Sequence, residues 1–320
     1  VENEVGTYGS VRDYSDDANA LFENAPPAVL LQALGAEGDS WRAAFGEDAD
    51  EFFHAWAFAS YVGELARAGK EILDLPMYTN AALRHPIDDQ DPSSYASGGP
   101  THNVIDIWKT MAPALDFVSP DIYMRTSREY AAVLDHYARA DNPLFVSETG
   151  SDKEYARFFF EALGKGAIGF SPFGIDYTGY ANYPLGAQAI TPESIAPFAD
   201  NYRLLGPFAG EWARLVAQHP VWGLARPDDS SPRTLALGRW TANIEFHEWQ
   251  FGDIDAAWMS QHPQREPATN AGVLVVEIEE DTYLVTGRNA RVTFALPPAR
   301  DAAGMIIEFA DVVVFEGGRW

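Results

Sequence analysis

The alternation of helix-like and strand-like segments is the feature that most constrains the fold of this chain. Between residues 104 and 170, three stretches with apolar side chains at helical spacing alternate with three short apolar runs. The helical stretches begin near residues 104, 130 and 155, and the apolar runs lie at 117–118, 144–146 and 167–170. Helices that alternate with short continuous apolar strands are typical of a parallel sheet covered by helices. The pattern therefore predicts an α/β fold.

Segments on either side extend this pattern. The apolar stretch 52–67 predicts a buried helix, and 70–75 predicts a short strand after it. Residues 7–50 are loop-rich and acidic, which is typical of a solvated insertion. Downstream, Ser151–Glu154 has the spacing of a helix capping box, and Thr191-Pro192 predicts the start of a further helix.

The character of the sequence changes at a linker rich in Pro, Ser and Asp, which occupies 226–232. Beyond this linker the chain contains short β-branched and aromatic runs, at 235–237, 273–277, 283–286, 292–296, 306–309 and 312–315. No long helical pattern interrupts these runs, so they predict a small antiparallel β-sandwich. We therefore predict two domains, at 1–225 and 226–320.

Composition narrows the range of partners. The chain has 22 Lys and Arg against 47 Asp and Glu, which gives a formal net charge of −25. Such a surface repels phosphate backbones and anionic lipid, so nucleic-acid and membrane-surface binding are not expected. The apolar runs are too short to span a bilayer. The absence of cysteine excludes disulfides, thiol catalysis and Cys-ligated zinc.

Polar side chains follow the predicted strands, where a parallel α/β fold places its active site. The residues at these positions are Glu4, Tyr78, Asn80, Asp121, Tyr123, Glu148, Ser171 and Asp176. Glu4 and Glu148 follow different strands of one predicted sheet, and two carboxyl groups on opposite sides of a bond are the minimum machinery for glycoside hydrolysis. Standard nucleotide-binding, serine-hydrolase and zinc motifs are absent from the sequence, and no metal site is predicted.

The surroundings of the two acids suggest different roles. Glu4 lies among apolar residues and would keep its proton to higher pH, as a general acid requires. Glu148 precedes a Gly and a predicted capped helix, whose positive end favours the ionised form that a nucleophile requires. Tyr123 could donate a hydrogen bond to Glu148, although a buried structural tyrosine is an equally good interpretation of Tyr123.

Three segments carry a resemblance to a known family. They are 1–6 (VENEVG), 114–123 (ALDFVSPDIY) and 142–148 (NPLFVSE). These segments resemble bacterial β-galactosidases of glycoside hydrolase family 35, a member of clan A. The resemblance implies a (β/α)₈ TIM barrel, of which this sequence contains strands four to eight, followed by a β-sandwich domain.

The resemblance also implies site residues. Glu4 would be the acid/base, Glu148 the nucleophile, and Asn3 would bind the 2-hydroxyl of the sugar. We further predict that Tyr78, Asn80 and Tyr123 contact the substrate. A retaining enzyme of this kind needs no cofactor, and its two carboxyl groups lie about 5 Å apart, against about 6.5–9.5 Å in inverting enzymes.

A loop rich in tyrosine, 174–184, follows the last predicted barrel strand. Flat rings with polar tips are suitable platforms for a sugar, so Tyr177 is predicted to bind substrate. Packing between the two predicted domains is the alternative interpretation of this loop. The predicted activity is the release of terminal β-D-galactosyl residues from oligosaccharides or polysaccharide side chains.

Several alternatives stay open at this point. Another clan A specificity (β-glucosidase, arabinosidase, xylosidase or mannanase) would share the catalytic pair. A non-catalytic carbohydrate-binding protein could retain the fold, and a protein serving only protein contacts would bind no sugar. Strands one to three of the barrel are not in the sequence, so we expect them in the same longer chain. A periplasmic or secreted location is expected because polymeric sugars are usually met there, and the oligomeric state is left open.

Overall fold

A computed structural model describes residues 11–176, 178, 180–181, 183–246 and 268–295. It shows a mixed α/β protein, which confirms the predicted fold class at that level. The predicted strand end at 1–6 and the predicted β runs at 306–309 and 312–315 lie outside the described residues. In the described part of the chain, no helix is long and apolar enough to span a membrane.

The described elements begin with four α-helices, alternate between strand and helix from residue 78 to residue 172, and are strands from residue 221 onward. The α-helices are α1 (Asp16–Phe22), α2 (Ala28–Leu34), α3 (Trp41–Phe45), α4 (Ala49–Ile72), α5 (Ile105–Met111), α6 (Ser127–Tyr137), α7 (Phe158–Gly164), α8 (Pro192–Leu205) and α9 (Ala209–Gln218). The strands are β1 (Tyr78–Ala82), β2 (Phe117–Ile122), β3 (Phe145–Thr149), β4 (Gly169–Pro172), β5 (Val221–Ala225), β6 (Arg233–Leu237), β7 (Trp240–Glu245), β8 (Gly272–Glu279), β9 (Thr282–Arg288) and β10 (Arg291–Ala295).

The chain forms two compact units. Unit 1 contains the residues up to 124 together with 128–149 and 169–172, and unit 2 contains 125–127, 150–168 and the residues from 173 onward. This division differs from the boundary expected after residue 225, which stays a prediction.

Unit 1 is built on a parallel sheet in the order β1-β2-β3-β4. Neighbouring strands in this sheet are also neighbours along the chain, as the alternating sequence pattern predicts. Every residue of β2 is buried. The sheet therefore brings the ends of successive strands side by side, and polar residues near those ends can meet.

The predicted strand at 70–75 is wrong. Helix α4 continues to Ile72, and the strand begins only at Tyr78. The apolar run was misleading because Leu73 and Leu75 are exposed rather than buried in the sheet. The salt bridge between Lys70 and Asp116, with Nζ and Oδ2 2.7 Å apart, ties the last turn of α4 to the residue before β2.

The strands also extend further than predicted. Strand β2 runs to Ile122 and β3 to Thr149, so Asp121 and Glu148 lie within strands and not after them. Asn80 likewise lies inside β1. Backbone pairing continues through these polar residues because the ladder bonds use main-chain groups, which every residue except proline supplies in full.

Residues 16–45 form helices α1 to α3 and not the solvated loop expected from their acidic composition. Their apolar residues pack on α4: the Phe53 ring makes edge contacts with Phe22 and Trp41, at centroid distances of 5.4 and 5.2 Å. The predicted burial around the whole of α4 is also wrong, since Tyr61 and Leu65 are exposed. The insertion is therefore a packed part of unit 1 with an acidic outer surface.

Unit 2 contains two antiparallel sheets, in the orders β10-β7-β6 and β5-β8-β9. Side chains from both sheets form one apolar core, which includes Ala242 and Ile244 of β7 and Val273 and Val275 of β8. The prediction of antiparallel β structure after the linker is confirmed for the described residues. Strands β5 and β7 were not predicted: polar residues interrupt the apolar positions of β7 (WTANIE), and β5 (VWGLA), although apolar, lies before the linker at which the β structure was expected to begin.

One of the two predicted helix starts is confirmed. Thr191 and Ser194 form a reciprocal capping box at the start of α8, with Pro192 at the first helical position. The capping box at Ser151–Glu154 is wrong, because Asp152 and not Ser151 accepts the Glu154 backbone N–H. Asp152 caps a short 3₁₀ segment (Lys153–Arg157) that precedes α7.

Helix α7 and strand β5 touch backbone to backbone in unit 2. A Cβ atom added to Gly223 would lie 1.9 Å from the carbonyl oxygen of Phe160. A Cβ atom added to Gly164 would lie 1.9 Å from the backbone nitrogen of Gly223. A Cβ atom added to Gly272 on β8 would lie 2.2 Å from Cδ2 of the Phe160 ring. Only glycine fits at positions 164 and 223, because a side chain there would overlap main-chain atoms, and a side chain at position 272 would displace the buried Phe160 ring.

Acid is expected to destabilise unit 1 through His54. Burial lowers the pKa of His54 from 6.5 to about 4, and its Nε2 has no hydrogen-bond partner. The unfolded chain binds the proton more readily, so stability falls as pH drops from about 6.5 towards 4. Between pH 7 and 4.5 this histidine should contribute a loss of about 2–3 kcal/mol. Urea unfolding of His54→Leu should show a pH dependence shallower by that amount; equal slopes for the two proteins would contradict the prediction.

Candidate active site

The ends of β2 and β3 in unit 1 bring together acidic and polar side chains. Asp121 on β2 is the register partner of Glu148 on β3, one residue before the end of each strand. Tyr123 follows directly after β2. Because the two strands are parallel, these residues lie at the carboxyl edge of the sheet, where α/β proteins commonly bind ligands.

A register shift in β3 turns Glu148 towards this group. Strand β3 pairs with β4 at Val146–Phe170 and again at Thr149–Pro172, so β3 contains one residue more than β4 between these pairs. In a regular strand Ser147 and Glu148 would point to opposite faces. The extra residue, as in a β-bulge, lets both side chains contact the same polar group.

Each oxygen of the Glu148 carboxylate has a hydrogen-bond donor. Tyr123 donates its hydroxyl proton to Oε2 over 2.9 Å, as the sequence suggested. Asn80 Nδ2 donates to Oε1 over 3.4 Å. Glu148 itself is half-buried. The carboxylate is thus oriented from both sides and still reached by solvent.

Asp121 is the residue of this group that the predicted site did not include. It is only 3 % exposed, and its Oδ1 and Oδ2 accept from Asn80 Nδ2 over 3.0 and 2.9 Å. Ser147 Oγ donates to Oδ1 over 3.1 Å. The sequence placed Asp121 at a strand end, but only the register of β2 against β1 and β3 shows its contacts.

This group of side chains (Asn80, Asp121, Tyr123, Ser147 and Glu148) has the chemistry of a carboxylate nucleophile or general base. The donors described for Asp121 and Glu148 are hydroxyl and amide groups, which hold a carboxylate in place by hydrogen bonds. Among the described residues, no cluster of three or more His, Cys, Asp or Glu side chains could hold a metal ion.

Tyr78 does not join this group. It begins β1 opposite Phe117, four register positions before the partner of Asp121, which corresponds to about 13 Å along the strand. Its ring stacks on Phe117 at 5.3 Å and meets Phe145 edge-on at 5.1 Å. The structure therefore brings together Asn80, Tyr123 and Glu148 of the predicted site and places Tyr78 at the other end of the sheet.

Three predicted site residues, Asn3, Glu4 and Tyr177, lie outside the described residues. The separation of the Glu4 and Glu148 carboxyl groups therefore stays a prediction.

Part of the chain is similar to a known family. Residues 198–320 match a family model described as a domain of unknown function, DUF5597. This match covers most of α8, all of α9 and the strands of unit 2 from β5 onward, and it does not include Glu148. No curated protein gives a significant match to the chain. The candidate active site therefore lies in a part of the chain that the family model does not describe.

Proposed function

We propose that this chain is part of a retaining glycoside hydrolase that releases terminal β-D-galactosyl residues from oligosaccharides or polysaccharide side chains. The observation that carries the proposal is the Glu148 carboxylate, half-buried at the carboxyl end of a parallel strand and held by a donor on each oxygen. The choice of a galactosyl group depends on the three sequence segments that resemble family 35 β-galactosidases.

In the proposed reaction Glu148 attacks the anomeric carbon while protonated Glu4 gives its proton to the departing glycosidic oxygen. The bond to the leaving group breaks as the ester bond between Glu148 and the sugar forms. Glu4, now ionised, removes a proton from water, whose oxygen displaces Glu148 and releases the sugar. Both steps use carboxylates alone, so the proposal includes no cofactor.

The proposal includes a (β/α)₈ barrel in which β1 to β4 are strands five to eight. The uneven burial of β1 supports it: Thr79 and Ala81 are buried, whereas Tyr78, Asn80 and Ala82 on the other face are exposed or half-buried. In a complete barrel, inward side chains are covered by the remaining strands. We propose that those strands belong to the same longer chain, and that the two sheets of unit 2 are the β-sandwich that follows the barrel.

The proposal predicts a specific loss for Tyr123→Phe. This change removes the hydroxyl that donates to Glu148 Oε2 and keeps the ring, so kcat should fall about 10- to 100-fold as the carboxylate loses its orientation. The matched control is Tyr137→Phe, which removes a buried hydroxyl bonded to the Pro100 carbonyl and should cost about 1 kcal/mol of stability without changing kcat. Equal effects of the two variants on kcat would contradict the role of Tyr123.

The test of the proposed function is covalent trapping. The full-length natural polypeptide is incubated with a 2-deoxy-2-fluoro-β-galactoside that carries a good leaving group, and the added mass is located by peptide mapping. We expect a galactosyl adduct on Glu148 and none on the Glu148→Gln variant. An adduct on another residue would overturn the assignment of the nucleophile.

Related probes separate the remaining alternatives. Labelling by a fluoro-glucoside, fluoro-xyloside or fluoro-mannoside but not by the galactoside would favour another clan A specificity. Sugar binding without labelling, unchanged by Glu148→Gln, would favour a carbohydrate-binding protein and overturn the proposed hydrolysis.

A further inference from the structure

Asp121 is a buried carboxylate to which the proposed reaction gives no role. It lies beside Glu148 in the register of β2 and β3 and is 3 % exposed. Burying a carboxylate costs free energy unless several donors satisfy it, and a second acid nearby adds repulsion. An acid at this position therefore calls for an explanation beyond packing.

The shortest described contacts of Asp121 within the group are with the side-chain amide of Asn80. Asn80 Nδ2 lies 3.0 and 2.9 Å from the two Asp121 oxygens but 3.4 Å from Glu148 Oε1. The contact with Glu148 is at the long end of the hydrogen-bond range and cannot hold the amide by itself. Asp121 therefore sets the orientation of the Asn80 amide, and this orientation directs the amide hydrogen towards Glu148 Oε1.

An amide group can turn in two ways, and the two have opposite effects on a neighbouring carboxylate. With Nδ2 towards the acids, Asn80 offers hydrogen to both of them; with the amide reversed, its carbonyl oxygen would face carboxylate oxygens and repel them. Asp121 favours the first orientation with two oxygens. Ser147 Oγ, which donates to Asp121 Oδ1, fixes the acid from the β3 side.

We propose that Asp121 is a positioning residue that acts on Glu148 through Asn80. The inference rests on the proposed function for its consequence, which is that the amide hydrogen at Oε1 and the Tyr123 hydroxyl at Oε2 together fix the plane of the nucleophile. A reacting group displaced by about 1 Å can lose about 100-fold in rate.

The first test is a double-mutant cycle on the full-length natural polypeptide, with Asp121→Asn, Asn80→Ala and both together. Asp121→Asn should lower kcat about 10- to 100-fold with little change in KM, because the sugar is still bound while the attacking oxygen is misplaced. The double variant should be no slower than Asn80→Ala, since Asp121 acts through that side chain. Additive losses, or kcat within about twofold of the unchanged protein for Asp121→Asn, would overturn the inference.

The control for the acid-to-amide change is Asp106→Asn. Asp106 is exposed in the same unit and forms a surface ion pair with Arg139, so kcat should stay unchanged. If Asp121→Asn does not fold, Asn80→Ala still tests whether the Asn80 amide positions Glu148. Asn80 is half-buried and its replacement should fold, and it must then show the 10- to 100-fold loss of kcat by itself.

A second measurement is independent of activity. In protein labelled with ¹⁵N-asparagine, the two Nδ2 hydrogens of Asn80 should give separate signals that exchange slowly with water, and Asp121→Asn should make them exchange faster. Fast exchange in the unchanged protein would overturn the inference. If no glycoside is hydrolysed but the slow exchange depends on Asp121, the proposed function fails and the positioning of Asn80 by Asp121 stands.

Discussion

Replacing Glu148 by glutamine is expected to lower kcat for aryl β-galactosides by roughly four to six orders of magnitude, the size of loss seen when a catalytic nucleophile is removed. The amide has the shape of the carboxylate but cannot form the ester bond to the anomeric carbon. Its oxygen can still accept from Tyr123 or Asn80, so the fold of unit 1 should tolerate the change.

The matched control is Glu64→Gln, the same change on the exposed side of α4, which should leave kcat within about twofold. A second variant, Glu148→Ala, separates loss of the nucleophile from structural damage. Added azide should occupy the vacated space, attack the anomeric carbon and give the α-galactosyl azide. Retained activity in Glu148→Gln, or absence of the azide product from a folded Glu148→Ala protein, would contradict the assignment.

The substitution Gly223→Ala is expected to destabilise unit 2 by about 3 kcal/mol or more. The new methyl group would lie 1.9 Å from the Phe160 carbonyl oxygen and 2.7 Å from the Gly164 Cα, and both are backbone atoms that cannot move aside by a change of rotamer. Strand β5 would have to separate from α7, with loss of the packing that depends on their contact. Urea unfolding gives the free-energy change, and amide hydrogen exchange should show faster exchange in α7 and β5.

The control is Gly210→Ala in α9. Outside its chain neighbours and the backbone of its own helix, no heavy atom lies within 4 Å of the added Cβ at this position, so alanine should leave stability unchanged or raise it by up to about 1 kcal/mol. Similar unfolding curves for Gly223→Ala and the unchanged protein would contradict the close approach of β5 and α7.

The sequence predicted those features that depend on repetition or on chain order. The alternating segments gave the parallel sheet, and the position of Tyr123 and Glu148 at the ends of successive strands predicted that they would meet. Strand β1 was misplaced because its residues, Tyr78–Ala82, include little continuous apolar surface, whereas the apolar run at 70–75 precedes the strand and is largely exposed. An apolar pattern predicts a strand only where apolar residues are buried. Here the apolar segment 70–75 is largely exposed, and the strand itself contains few apolar residues.

The features that depend on register could not be predicted in this way. The extra residue in β3 leaves no signal in the segment Phe145–Thr149, yet it decides which face Glu148 occupies. The contacts of Asp121 require the alignment of three strands at once. The fit of Gly164 against Gly223 joins residues far apart in the chain, and nothing in the sequence next to either glycine indicates the contact.

The contact between α7 and β5 affects whether the segment that matches the family model can fold when it is separated from the rest of the chain. That segment begins at residue 198, so it contains Gly223 but not the helix that fills the space beside it. It also contains Arg226 and Asp228 but not Glu154 and Arg157, the residues with which they pair. In a fusion protein that carried only residues 198–320, Gly223 would lose the helix that packs against it. Arg226 and Asp228 would lose these two ion-pair partners. A segment that keeps these contacts would have to begin at about residue 150.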